Sequence, residues 1–161
     1  PMAKDSKNSK NPTAADLVSS INQSKKTIGA EAGKLLWLDD VVAHDYPSAA
    51  NYLGLISDPK TVTALEASLR KAPIEMHRAN DILRAAGLDL LTLDDPSVRR
   101  DLSKVMFGER WSPVLVVRGD VLAGVPLTIA DGYHRVCASY HLSEDTYIPC
   151  KIADLPVKEK A

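Results

Sequence analysis

Three short apolar runs and one helix-like stretch fill the last third of the chain, and their order restricts the fold more than any other feature. "SPVLVVRGD" (Ser112–Asp120) is a β-branched run entering a turn, and "VPLTIA" reads as a second strand. "GYHRVCASYHL" has the helical period, and "TYIPCKIADL" closes as a last strand. A strand–turn–strand–helix–strand sequence of this kind needs a sheet with a helix laid on one face.

The part before it reads as helical. A first helix opens at Thr13 as N-cap and carries Leu17, Ile21 and Ile28, a thin stripe that packs either on the body or on a second subunit. "LLWLDDVVAH" (Leu35–His44) reads as a short buried strand and a turn. "DYPSAANYLGLIS" has Asp45 near a helix start and Pro47 in the first turn. "DPKTVTALEASLRKA" opens at Asp58-Pro59. "IEMHRANDILRAAG" reads as one helix closed by Gly87, and "DDPSVRRDLSKVMFG" opens at Asp95-Pro96 and closes at Gly108. The expectation is an α/β (α+β) fold, its helical N-terminal half packed on a small mixed sheet.

The 161 residues suit one core. Residues 1–12 are expected to form a disordered tail, with Pro1 ahead of Met2 a cloning scar, and residues 13–161 a single domain. Twenty Lys+Arg against 21 Asp+Glu give no global attraction to DNA or anionic lipid. Nucleic acid is therefore a disfavoured partner, and no apolar run is long enough to span a membrane. Cys137 and Cys150 form neither a CxxC pair nor a zinc pattern, and they read as reduced thiols of a cytoplasmic protein.

The chemistry concentrates at "ADGYHR". A glycine after a strand lets the backbone turn tightly and approach a ligand closely. The helix that follows turns unpaired N–H groups and its positive end toward whatever lies above it. His134 and Arg135 at that end make an anion site suited to phosphate or carboxylate. The competing reading makes Asp131 an ordinary N-cap with His134 and Arg135 on a solvated face.

The stretch "SPVLVV…PLTIADGYHRVCASYHL…YIPCKI" resembles the core of the ParB/sulfiredoxin superfamily over roughly 112–152. The resemblance implies that Asp131, Gly132, Tyr133, His134 and Arg135 hold the phosphates of a nucleotide (ADP/ATP or CTP), with magnesium bridging them. Sulfiredoxins carry a catalytic cysteine at the position of Tyr133, so sulfinic-acid chemistry is not expected. Chromosomal ParB proteins add a helix-turn-helix domain, which is not expected in a chain ending at Ala161. The nearest motif is the Asp-Gly-His-His-Arg of the free serine kinase branch, from which Tyr133 departs. In that branch an acid after a histidine serves as base, and His44-Asp45 stand in the matching place.

These comparisons predict a nucleotide-binding domain, a phosphotransferase or NTP hydrolase acting on a small hydroxyl compound. Asp45 is the expected base, against a competing reading in which it merely caps the helix that follows, and His134 is a catalytic donor to a phosphate oxygen. Arg78 is carried as a further phosphate-binding candidate, against an exposed ion-pair ladder with Asp81 and Arg84. Asp39 and Asp40 read as turn residues rather than magnesium ligands. Rival expectations are a ParB-like nuclease, a non-catalytic nucleotide-gated module and a pure protein-interaction domain. A homodimer is left open.

Overall fold

The structure is a computed structural model that describes Thr13, residues 15–19 and residues 36–156. The tail expected at residues 1–12, and the stripe positions Ile21 and Ile28, lie outside them. Helices α1 (Asp45–Leu53), α2 (Pro59–Lys71), α3 (Ala79–Ala86), α4 (Pro96–Met106) and α5 (Tyr133–Leu142) surround a four-stranded sheet. Its strands are β1 (Glu75–Arg78), β2 (Val114–Val117), β3 (Thr128–Asp131) and β4 (Tyr147–Ala153), in the order β1-β4-β2-β3. β2 and β4 run parallel, and the other two pairs antiparallel, so the sheet is mixed. Fold class is α/β, as expected.

The helix ends follow from local chemistry. The Asp58 carboxylate accepts from the Thr61 amide at 2.9 Å, and Asp95 accepts from the Ser97 and Val98 amides at 2.9 and 3.0 Å. Each cap precedes a proline at the first helical position, where a missing N–H costs nothing. Gly87 closes α3 in the left-handed region, and the Leu88 amide bonds back to the Leu83 carbonyl. Thr13 and Asp16 cap the helical stretch at 15–19 reciprocally, and Leu17 is buried in the core.

The sheet separates two apolar clusters. Val114, Val116, Ile129, Ile148 and Cys150 join side chains of α3, α4 and α5, with Trp37 and Trp111, on one face. Leu115, Val117, Ala130 and Ala153 meet Tyr46, Ala49 and Leu53 of α1 and Leu65 and Leu69 of α2 on the other. The result is three layers, each strand alternating between the two cores. The alternation breaks once: Leu115 pairs with Asp131 and Val116 with Ile129, leaving Ala130 as an extra residue in β3. Among the described residues no helix is long and apolar enough to cross a membrane.

Three local expectations are corrected. The helix expected from Ile74 begins only at Ala79, because Glu75–Arg78 pair with Tyr147–Cys150 as an edge strand. The strand expected at Leu35–His44 reduces, in its described part, to one bridge between Trp37 and Trp111, whose rings meet edge-on at 5.1 Å. Pro113 has no N–H to extend that pairing, and the chain turns at Asp39-Asp40. Asp131 is the last residue of β3, not a cap; the N-cap of α5 is Gly132.

Candidate functional site

Two helix starts converge at the end of the sheet where β3 stops and β2 begins. α5 opens on Gly132 without a side-chain cap, and its first intrahelical bond runs from the Val136 amide to the Gly132 carbonyl. The amides of Tyr133, His134 and Arg135 precede that bond and point out of the helix. α1 opens on His44, also without a side-chain cap. Gly132 holds φ 112°, and a Cβ there would lie 2.9 Å from Arg135 Nη2 and 3.0 Å from a Val114 methyl. Both the backbone conformation and the space require glycine.

Arg135 joins the two helix starts. Its Nη2 donates to Asp131 Oδ2 at 2.9 Å and stands 3.5 Å from both Asp45 Oδ2 and the Pro113 carbonyl oxygen. The side chains are 17% exposed for Arg135, 19% for Asp131 and 7% for Asp45. Asp45 Oδ1 also lies 3.3 Å from Nε2 of the exposed His44. Asp45 Oδ2 and Arg135 Nε are buried without a hydrogen-bond partner among the described residues. The guanidinium thus leans on one nitrogen for every contact and leaves the Nε donor unspent.

The electrostatics are not those of a free cationic clamp. Asp45, Asp131 and Arg135 sum to one negative charge if all are ionised. Burial pushes the Asp131 carboxyl above its ordinary range, against the downward pull of Arg135, and the nearby Asp45 adds to the rise. Arg135, expected to stand open to a ligand, is turned inward onto the protein's own acids. A bare anion would meet a site whose positive charge is already neutralised.

On α4, burial likewise raises the carboxyl of Asp101, with Lys104 3.9 Å away as an opposing influence. An acid whose folded value is raised contributes stability fully present below its unfolded value of 3.8 and lost as pH rises through the folded value. Asp101→Asn should therefore stabilise the protein at neutral pH by about 1 kcal/mol and flatten stability above pH ~4. Urea titrations across that range check this, and a variant destabilised at pH 7 would contradict it.

The remaining expected site residues separate. The Tyr133 hydroxyl donates to the Asp89 carbonyl, and its ring packs against the main core, so only its amide is left for a ligand. His134 stacks obliquely on Tyr133 with ring centroids 5.7 Å apart and takes no part in the Arg135 ion cluster. Arg78 does not reach the site. It lies on β1, at the opposite edge of the sheet from β3, and pairs with Asp81 at 2.9 Å and Asp145 at 3.4 Å. The ion-pair ladder is the reading the structure supports, since Arg84 also reaches Asp81.

Sequence reasoning missed Lys151. Its buried Nζ donates to the Tyr46 hydroxyl at 2.9 Å and the Arg70 carbonyl at 3.2 Å, with Asp40 3.7 Å away. It fastens the first turn of α1, and so the neighbourhood of Asp45, to β4. The available signal was a lysine inside the apolar run "YIPCKIA". No family model, curated protein or solved structure matches this chain.

Proposed function

We propose that this chain is a ParB/sulfiredoxin-like domain that binds a nucleotide at the converging starts of α1 and α5 and transfers its terminal phosphoryl group. The acceptor is a small hydroxyl compound or water. One observation carries the reading: Asp45, from a helix early in the chain, is brought 3.5 Å from Arg135 at the uncapped start of α5, with a buried and unpartnered oxygen.

In this reading the amides of Tyr133–Arg135 and the Arg135 guanidinium hold phosphate oxygens. Asp45 orients the acceptor hydroxyl and takes its proton. His134, at the same helix turn, donates to a phosphate oxygen. Asp131 keeps the guanidinium oriented.

Among the described residues no group of three or more His, Cys, Asp or Glu could hold a metal alone. Magnesium does not need such a cage, since it retains waters and binds through substrate phosphates and one or two carboxylates. Asp45 and Asp131 fit that limited role, and the net negative charge of the cluster favours a nucleotide arriving with its cation. Magnesium, when bound, supplies neutralisation of phosphate charge. The free, buried Cys137 and Cys150, the latter pushed by burial up to about 12, support placing the protein in the cytoplasm.

The test is a thermal-shift series with ADP, ATP and CTP, each with and without magnesium, followed by phosphate transfer to serine and related hydroxyl compounds. Asp45→Asn should retain the nucleotide shift and lose about 10²- to 10⁴-fold in transfer. No saturable shift with any nucleotide, or equal transfer rates in wild type and Asp45→Asn, would end the proposal.

A further inference from the structure

We propose that Asp45, Asp131 and the main-chain carbonyl of Pro113 form a site for one hard divalent cation, calcium in preference to magnesium, and that the Arg135 guanidinium fills it as a built-in competitor. The inference concerns this oxygen cluster alone and stands whether or not a nucleotide binds beside it. Three oxygens converge on a single nitrogen. Asp131 Oδ2 lies 2.9 Å from Arg135 Nη2, and Asp45 Oδ2 and the Pro113 carbonyl oxygen each lie 3.5 Å from it. They come from three places in the fold: the end of β3, the start of α1 and the residue before β2. Carboxylate and carbonyl oxygens, with no nitrogen or sulfur among them, are the ligands that hard cations select.

A guanidinium satisfies these oxygens poorly. Arg135 meets all three through one atom, two of them at more than an ordinary hydrogen-bond length, while its Nε is buried with no partner among the described residues. Asp45 Oδ2 also lacks a hydrogen bond among the described residues, although its side chain is only 7% exposed. A carboxylate oxygen buried in that condition is costly, and a metal bond would satisfy it. Charge points the same way. With Arg135 the two ionised acids keep one negative charge uncompensated, whereas a divalent cation in its place balances both.

The ligands are held from outside the cluster. Lys151 fastens Tyr46, the neighbour of Asp45, and Pro113 is fully buried. Asp131 and Arg135 keep some contact with solvent, which gives a cation and its remaining water ligands a way in. Calcium, at about 2.3–2.6 Å from its oxygens, needs less contraction of this cluster than magnesium at about 2.0–2.1 Å, and it tolerates irregular geometry better.

Calcium binding by Arg135→Met tests this. At about 5 mM calcium its thermal midpoint should rise by about 5 °C or more over a sodium chloride control of equal ionic strength. Calorimetric titration should show one calcium ion bound at least about tenfold more tightly than by wild type, and magnesium bound more weakly than calcium. Adding Asp45→Asn or Asp131→Asn to Arg135→Met should abolish the calcium shift. Arg135→Gln, whose amide can still donate to Asp131, serves the same comparisons where Arg135→Met does not fold. No shift beyond the sodium chloride control, equal calcium affinity in wild type and the Arg135 variants, a shift that survives the added substitutions, or magnesium bound as tightly as calcium would overturn the assignment. None of these readouts uses a nucleotide, so their outcome is independent of phosphoryl transfer.

Discussion

Arg135→Met should cost the protein about 3–5 kcal/mol at neutral pH, well beyond the loss of a surface charge. The size follows from what stays behind: Asp45 and Asp131 would remain as neighbouring, largely buried carboxylates without their cation. A further rise at Asp131 is the expected response. Asp131 already lies above its ordinary 3.8, and removal of the guanidinium drives it further in the same direction. The contribution of such a group is present below the unfolded value and lost as pH rises through the folded one, so the deficit should shrink as the solution approaches pH ~4. Combining Arg135→Met with Asp45→Asn and Asp131→Asn should recover most of the loss, because the uncompensated charges go with it. Urea denaturation of wild type, the single variant and the triple variant at two pH values checks the scheme. A single-variant deficit below about 1 kcal/mol at pH 7 would mean that the two acids are solvated rather than buried.

Gly132→Ala should be nearly as damaging, at about 2–4 kcal/mol, from two separable sources. The left-handed φ of 112° is strained for any L side chain, and the new methyl would press on Val114 and on the Arg135 guanidinium. Gly87→Ala is the control. Gly87 has φ 64° with nothing within 4 Å of its notional Cβ, so only the conformational term of about 1 kcal/mol applies. Comparable losses for the two variants would show that the crowding at Gly132 is relieved without cost. Because the methyl also moves Arg135, Gly132→Ala should reduce any nucleotide-dependent stabilisation more than Gly87→Ala does.

Much of the fold could be read from residues whose effects are local. Asp-Pro at 58–59 and 95–96 and Gly87 act through their own backbones, so helix limits set by them are visible without knowing the neighbours. The strands of the C-terminal third were visible because their apolar runs are bounded by turns. Glu75–Arg78 was not: a four-residue stretch fits a helix start or an edge strand, and only its pairing with β4 decides. That single pairing is also why Arg78 lies away from the site.

The site was half legible. The grouping of Asp45 with Asp131 and Arg135 was expected, and the structure brings these three together. The inward turn of Arg135 was not visible, because a side chain's direction depends on partners distant in sequence. Lys151 shows the same limit, since nothing near it in the chain announces Tyr46 or the Arg70 carbonyl.

The extra residue in β3 has a consequence for how this arrangement could arise or disappear. In an uninterrupted strand Asp131 would share the side of Ile129, among the aliphatic residues under α4 and α5. With Ala130 inserted, Asp131 stands level with Leu115, on the side that α1 covers, and finds Arg135. A register offset of one residue thus decides which layer receives the carboxylate, and deletion of Ala130 should return the acid to the opposite layer and part it from Arg135.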